Sequence, residues 1–293
     1  MILLTGATGN VGSQVLRRLT ARGERVRVLV RDPRRLGNER VRVQIALGDL
    51  SDPASFRNAL RGVGTVIHLA ASIRDQPRAS IEELNGVATL RLVRAAERAR
   101  TERFVFFSAI GASLHSRARF FRAKALAEQA VQESSLATTV FAPSIVYAPD
   151  DPWITLLRRL SLLPALPIAG SGRARYQPFW AGVDADCVIA SLDHSGANGR
   201  RRFDLAGPET LSYDQIARVA LRSWGRQRRL LHVPLPVVRS GLRSVELVSR
   251  QKAFATWEEA ELMEIPMTTP RGSADVESLG IQPLRMSAVL GAG

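Results

Sequence analysis

Gly6, Gly9 and Gly12 stand three residues apart in Thr5-Gly6-Ala7-Thr8-Gly9-Asn10-Val11-Gly12, directly after the apolar run Ile2-Leu3-Leu4. This spacing suits the cradling of a pyrophosphate. Gly6 permits a tight turn, Gly9 lets backbone approach a phosphate where a Cβ would collide, and Gly12 lets a helix pack closely on the preceding strand. The unpaired amides at the start of that helix then face the anion. The chemistry this implies is the binding of a nicotinamide dinucleotide, with Gly6, Thr8, Gly9, Asn10, Val11 and Gly12 as contacts.

The end of the second apolar run selects between the two dinucleotides. A carboxylate there would accept a hydrogen bond from the ribose 2′-hydroxyl of NAD(H), whereas an arginine would pair with the 2′-phosphate of NADP(H). The residues are Val30-Arg31-Asp32-Pro33-Arg34-Arg35. Arg31 comes first, and the planar fork of a guanidinium matches a phosphate. The reading therefore favours NADP(H) over NAD(H), with Asp32 keeping NAD(H) open.

The elements that must position these residues alternate. Strands are expected at Ile2–Leu4, Val26–Val30, Val41–Ile45, Thr65–Leu69, Phe104–Phe107 and Thr138–Phe141. Helices are expected at Val11–Arg22, Asp52–Leu60 (capped by Ser51), Ile81–Arg100 and Phe120–Ser134. Strands separated by helices imply right-handed βαβ units and a parallel sheet covered on both faces. The fold class is α/β, a doubly wound parallel (Rossmann) sheet over residues 1–150. Residues 151–293, with more proline and glycine, form a smaller interleaved lobe that carries the substrate or partner side. Helices are expected there at Trp153–Leu163, Asp184–His194 and Tyr213–Trp224, with a strand at Arg202–Leu205. An amphipathic stretch, Leu235–Val248, sets Leu235, Val238, Leu242 and Val245 against Arg239 and Arg243, and reads as a lid, a docking helix, a membrane-surface helix or plain core.

Composition narrows the partners. With 293 residues, 45% hydrophobic and 23% charged, the chain is ordinary globular material. The single cysteine, Cys187, excludes an intrachain disulfide and a cysteine-rich metal site. No metal site is expected: His194 and His232 lack spaced ligand partners, His68 reads as structural within a buried strand, and His115 as solvated in a Ser/Arg-rich loop. Neither a secretory leader nor a membrane span of about 18 apolar residues is apparent. The expected location is cytoplasmic, with peripheral membrane association left open by the charge. The net charge is +14, and Lys124 and Lys252 are the only lysines among 41 basic residues. The arginines are scattered, so no nucleic-acid partner is expected. The densest group, Arg226, Arg228 and Arg229, keeps an anionic partner or membrane surface open.

The motifs resemble those of the extended and atypical short-chain dehydrogenases/reductases. Thr5–Gly12 is similar to the family's opening motif. Gly48-Asp49-Leu50 is similar to its adenine-contacting turn, and His68-Leu69-Ala70-Ala71 to its fourth-strand motif beside the adenosine ribose. Asn85 matches the start of its long fourth helix. Phe104–Ser108 resembles its fifth strand with a terminal serine, and Pro143-Ser144-Ile145-Val146-Tyr147 the segment near the nicotinamide. Further matches at Tyr176–Trp180, Phe203–Glu209 and Leu279–Pro283 resemble the NmrA-like proteins and the nucleotide-binding accessory subunit of respiratory complex I. The resemblance implies Arg31, Asp49, Leu50, Ala70, Ala71, Lys124, Pro143 and Ile145 as cofactor contacts. It also implies Lys124 and Ser108 as the groups nearest the chemistry, and an epimerase-like fold. A small apolar or quinone-like ligand and a respiratory or membrane-associated partner are the further partners it suggests.

One position departs from the pattern. The family's active members carry Tyr-x-x-x-Lys, in which the tyrosine moves the proton. Here Phe120 stands four residues before Lys124, and a phenyl ring has no proton to give. Three readings remain open. Lys124 serves only the cofactor, and the protein is a dinucleotide-binding sensor or accessory protein. Alternatively Lys124 itself handles the proton in an NADPH-dependent reductase of a carbonyl, enone or quinone-like substrate. The isoflavone-reductase-like branch is similar in lacking the tyrosine and keeping the lysine. In the third reading His115, Tyr147 or Tyr176 supplies the proton.

Overall fold

Strand β1 (Ile2–Thr5) is buried along its whole length, as befits a strand with helices on both sides. The computed structural model describes residues 1–77, 79–193, 199–240 and 257–291. After β1 come α1 (Asn10–Ala21), β2 (Val26–Val30), β3 (Gln44–Leu47), α2 (Pro53–Arg57), β4 (Thr65–His68), α3 (Ala88–Arg98), β5 (Arg103–Phe107), α4 (Arg119–Gln132) and β6 (Ala137–Pro143). The second half adds β7 (Val146–Tyr147), α5 (Pro152–Leu160), β8 (Ala165–Ala169), β9 (Arg175–Tyr176), β10 (Phe179–Trp180) and α6 (Ala181–Asp193). It continues with β11 (Arg201–Leu205), β12 (Leu211–Ser212), α7 (Tyr213–Ser223) and β13 (Arg229–Val233), then short helices at Trp257–Leu262, Ala274–Glu277 and Met286–Leu290.

The main sheet runs β3-β2-β1-β4-β5-β6-β11, with every pairing parallel. The chain winds outward from β1 in one direction and from β4 in the other, so the switch point lies between β1 and β4. Ligands of open α/β sheets bind at the strand carboxyl ends beside such a point. One face is covered by α1 and α6, whose Val15, Leu19, Val183 and Val188 share a core with Leu4 and Val28. On the other face α3 and α4 pack Leu92, Val93, Ala127 and Val131 against Leu3, Val66 and Phe104. The doubly wound α/β fold read from the sequence is the fold observed.

Several elements differ from expectation, each for a local reason. The third strand is Gln44–Leu47 rather than Val41–Ile45. Asp32 accepts from the Arg34 amide and Pro33 follows, so residues 33–42 wind into 3₁₀ turns, kinked at Gly37 with φ 57°. Asp52, not Ser51, caps α2, because its carboxylate accepts from Ala54 N and Pro53 fills the first helical position. The expected long helix from Ile81 begins with a π turn, Glu83–Val87, before α3. The strand expected at Arg202–Leu205 starts one residue earlier, at Arg201, and adds to the main sheet beside β6, with Arg202 opposite Val140. Gly23 ends α1 as expected: its φ is 73°, its amide donates to Thr20 O and that of Glu24 to Leu19 O.

The remaining strands form three two-stranded ribbons, β7 with β10, β9 with β12, and β8 with β13. They pack with α5 and α7 around Tyr147, Leu157, Tyr176 and Ile216. Of the amphipathic stretch Leu235–Val248, residues 235–240 are helical and the rest lies outside the described residues.

Candidate functional site: a dinucleotide cleft with a closed far end

The glycine turn is positioned by contact between β1, α1 and the end of β4. Gly6 has φ 77°, and a Cβ on it would stand 2.5 Å from Ala70 N. A Cβ on Gly12 would stand 2.1 Å from Gly6 O, so α1 reaches the turn only without a side chain there. Gly9 is different. Its φ is −87° and ψ 174°, open to any residue, and a Cβ would meet nothing nearer than Gly6 O at 3.4 Å. Packing within the protein therefore gives Gly9 no reason to be glycine, whereas a ligand seated on the turn does.

Three further observations fit an anion at that turn. The amides of Asn10, Val11 and Gly12 have no backbone acceptor among the described residues. No acidic residue stands in the first turn of α1, and no side chain caps it. The turn also forms the floor of a cleft of about 460 Å³, walled by Thr8, Arg31, Arg35, Asp49, Leu50 and Ala70. Ala71, Ser72 and Gln76 complete the wall on the β4 side. The residues present thus fit a dinucleotide phosphate, which the helix dipole would stabilise. When bound, a nicotinamide dinucleotide supplies a hydride; what this chain supplies is the seat.

The sequence-derived contacts divide in two. Gly6, Thr8, Gly9, Arg31, Asp49, Leu50, Ala70 and Ala71 all line the cleft. Asn10 opens α1 with an exposed side chain, Val11 packs on the core beneath it, and Gly12 acts through close packing. Lys124, Ser108, Pro143 and Ile145 do not line it. Pro143 ends β6, where its carbonyl accepts from Ile110 N, and Ile145 packs into the core of the second lobe. Ser108 is buried and donates its hydroxyl to Glu128, which also pairs with Arg202.

Lys124 is 3% exposed and donates to the carbonyl of Phe107 at 2.6 Å. Its ammonium nitrogen lies 5.0 Å from the Phe106 ring centre and 5.7 Å from that of Phe120. Burial lowers its pKa to about 7, against an opposing pull from Glu128. Phe120, with Leu262, Ile265 and Met267 of the C-terminal segment, packs against the buried group Ala109, Ala118 and Phe121. That segment is fastened from several sides. Arg74 forms a two-point ion pair with Glu259, at 2.5 and 2.9 Å. Tyr176 donates its hydroxyl to Met263 O at 2.6 Å, and Ser144 to Met267 O at 2.7 Å. Sequence reasoning missed this strap, since Glu259 and Met267 carry no motif and meet Arg74 and Phe121 only through tertiary packing.

Of the other candidate proton donors, Tyr176 commits its hydroxyl to the strap, Tyr147 is fully buried, and His115 is exposed in the turn before α4, outside the cleft lining. Burial raises the pKa of both tyrosines. His68 anchors the cleft wall. Thr89 donates to Asn85 O, which leaves its oxygen to accept from His68 Nε2; Thr5 then donates to Nδ1 at 2.6 Å. Asn85 in turn holds Ser72 by its amide and carbonyl. Burial, reinforced by the Lys124 charge, lowers the His68 pKa to about 3, so the ring is neutral.

The chain is similar to known proteins along most of its length. It is 26% identical over 253 residues to the mitochondrial NADH dehydrogenase [ubiquinone] 1 alpha subcomplex subunit 9 of Arabidopsis thaliana, covering 80% of this chain but 60% of that protein. It is 30% identical to a (4-alkanoyl-5-oxo-2,5-dihydrofuran-3-yl)methyl phosphate reductase of Streptomyces griseus, over 83% of this chain and 80% of the reductase. A nucleoside-diphosphate-sugar epimerase from Staphylococcus aureus shares the fold, with a TM-score of 0.80 over 99% of both chains at 19% identity. The NAD(P)H-binding family model matches residues 6–158, from the first glycine of the turn to α5. The glycine seat, the cleft at the switch point and this match agree: the chain belongs to the NAD(P)H-binding family.

Proposed function

We propose that this protein binds NADP(H) as a sensor or accessory protein rather than as a tyrosine-dependent reductase. The observation that carries this reading is the packing of Leu262, Ile265 and Met267 of the C-terminal segment on Phe121, the neighbour of Phe120. A substrate reduced beside Lys124 would need that space. The similarity to a subunit of a respiratory complex supports an accessory role, with a protein assembly as partner.

The preference for the phosphorylated cofactor rests on charge. Arg31 and Arg35 both line the cleft. Arg31 is held by Gln76 Oε1 at 2.6 Å, with the Asp49 carboxylate 3.9 Å away. Asp32, the residue that would favour NAD(H), spends one carboxylate oxygen on the Arg34 amide. A second reading is favoured by one observation of its own. A lysine with its pKa near 7 is suited to proton transfer, and the similarity to the Streptomyces reductase supports an NADPH-dependent reduction. That reading requires the strap to open.

Fluorescence titration with NADPH and NADH, followed by NADPH oxidation assays over a carbonyl, enone and quinone panel, tests the proposal. Binding of NADPH without turnover is the expected result. Steady oxidation that disappears in Lys124→Ala with the cofactor still bound would overturn it in favour of the reductase. Arg31→Ala is expected to weaken NADPH binding by about tenfold or more, the scale of a charge-assisted contact of about 1.5–3 kcal/mol, and NADH binding far less.

A further inference from the structure

The turn between α5 and β8 presents Leu162 and Leu163, 68% and 47% exposed, to solvent. Next to it, β13 adds Leu231 at 57%, set opposite Pro167 in the register of β8 and β13. Isolated exposed leucines are normal, but Leu162 and Leu163 stand side by side at the start of the ribbon that also exposes Leu231, which makes an apolar patch.

Arginines surround it. Arg158 and Arg159 are exposed in the last turn of α5, and Arg229 is exposed opposite Ala165. Arg226 donates to Arg158 O and Ser161 Oγ, and Arg228 to Ser161 O, which holds both guanidinium groups against the leucine turn. None of these five arginines is paired with a carboxylate among the described residues. The sequence has no Asp or Glu from residue 152 to 183, nor from 215 to 245. Two carboxylates beside the far end of the ribbon are occupied: Asp214 faces His232 at 2.9 Å, and Glu264 accepts from Ser171 N at 2.5 Å.

We propose that this face docks the protein on an anionic lipid surface. Leu162 and Leu163 enter the acyl boundary while the arginine collar meets the headgroup phosphates. The commitment to lipid over an acidic protein rests on shape and charge together. The leucines protrude at the tip of a turn, which a deformable bilayer accepts without a matching pocket. The guanidinium groups keep donors free for phosphate oxygens. No helix among the described residues is long and apolar enough to cross a membrane, so the attachment is peripheral. None of its residues lines the nucleotide cleft.

Flotation of the full chain with vesicles of phosphatidylcholine alone, and with phosphatidylglycerol added, tests the proposal. Binding only to the anionic vesicles, weakened by salt, is expected. The double variant Leu162→Glu with Leu163→Glu is expected to abolish it. Arg158→Gln, Arg159→Gln and Arg229→Gln together are expected to weaken it by about 100-fold, at roughly fivefold per arginine. Near-ultraviolet circular dichroism and NADPH binding report whether each variant is folded; the arginine set, at exposed positions, decides the matter if the leucine variant is not. Failure to float with either vesicle overturns the proposal, as does equal binding to neutral vesicles. Capture by polyglutamate that ignores the leucine substitutions, without vesicle binding, would overturn it in favour of an acidic protein partner.

Discussion

Two glycines of the phosphate turn are identical in type and opposite in reason. Gly12→Ala places a methyl group 2.1 Å from Gly6 O, so backbone must move. A loss of about 1–3 kcal/mol is expected, read as a lower urea midpoint. Gly9→Ala meets only a 3.4 Å contact. Its midpoint is expected to stay within about 1 kcal/mol of the wild type, while NADPH titration shows binding lost. Loss of stability without loss of affinity at Gly9 would remove the ligand explanation for that glycine.

Lys124 and His68 make stability depend on pH. Both have folded pKa values below their ordinary ones, about 7 against 10.5 and about 3 against 6.5. Between each pair of values the unfolded chain holds the extra proton, so stability rises with pH. The lysine contribution is fully present above 10.5 and is lost as pH falls towards 7; that of the histidine is lost between 6.5 and 3. Lys124→Met keeps the apolar stem beside Phe106 and removes the amine. It is expected to flatten the urea midpoint between pH 7 and 10, and an unchanged slope would assign the dependence elsewhere.

At the scale of elements, the loop after β4 ties three parts of the site together. Arg74 holds the strap at Glu259, Asp75 pairs with Arg119 at the start of α4, and Gln76 holds Arg31 across the cleft. The same Arg119 pairs with Glu82 and lowers that carboxyl to about 2. Movement of this loop would therefore reach the cleft and the strap at once. Arg74→Ala is expected to increase amide exchange and proteolysis at residues 257–267 while leaving the main sheet protected. Phe120→Tyr restores the family's hydroxyl but leaves Leu262, Ile265 and Met267 in place. No NADPH turnover is expected from it, and turnover would mean that the strap yields to substrate.

At the scale of the whole molecule, the two halves of the sequence share one core. Phe179, Val183, Leu205, Val276 and Leu279 pack with Ile2, Leu16 and Val30. Asp275 reinforces this by accepting from the Asp204 amide in β11 at 2.8 Å. Unfolding is therefore expected as one transition, coincident by near- and far-ultraviolet circular dichroism. Truncation after Thr269 removes Val276 and Leu279. At about 1.5–3 kcal/mol for each buried side chain, it is expected to cost a large share of the roughly 5–15 kcal/mol of a typical fold. An unchanged midpoint would show the tail to be dispensable.

The sequence by itself determined the parts whose causes are local. The glycine spacing, the alternation of apolar runs with helical stretches and the absent tyrosine at Phe120 are all consequences of neighbouring residues. They sufficed for the doubly wound sheet and for the glycine turn and Arg31 that line the cleft, while Asp49, Leu50, Ala70 and Ala71 were legible only through the family resemblance. Tertiary structure alone decided what lies beyond the phosphate seat. Lys124 turned to Phe107 O and Ser108 to Glu128 because burial obliges each polar group to find a partner, and those partners lie on other elements. Glu259 and Met267 reach Arg74 and Phe121 across more than a hundred residues, where no spacing rule operates. The glycine turn thus specifies a seat for a dinucleotide, and the packing of the C-terminal segment determines how much of the far end stands open.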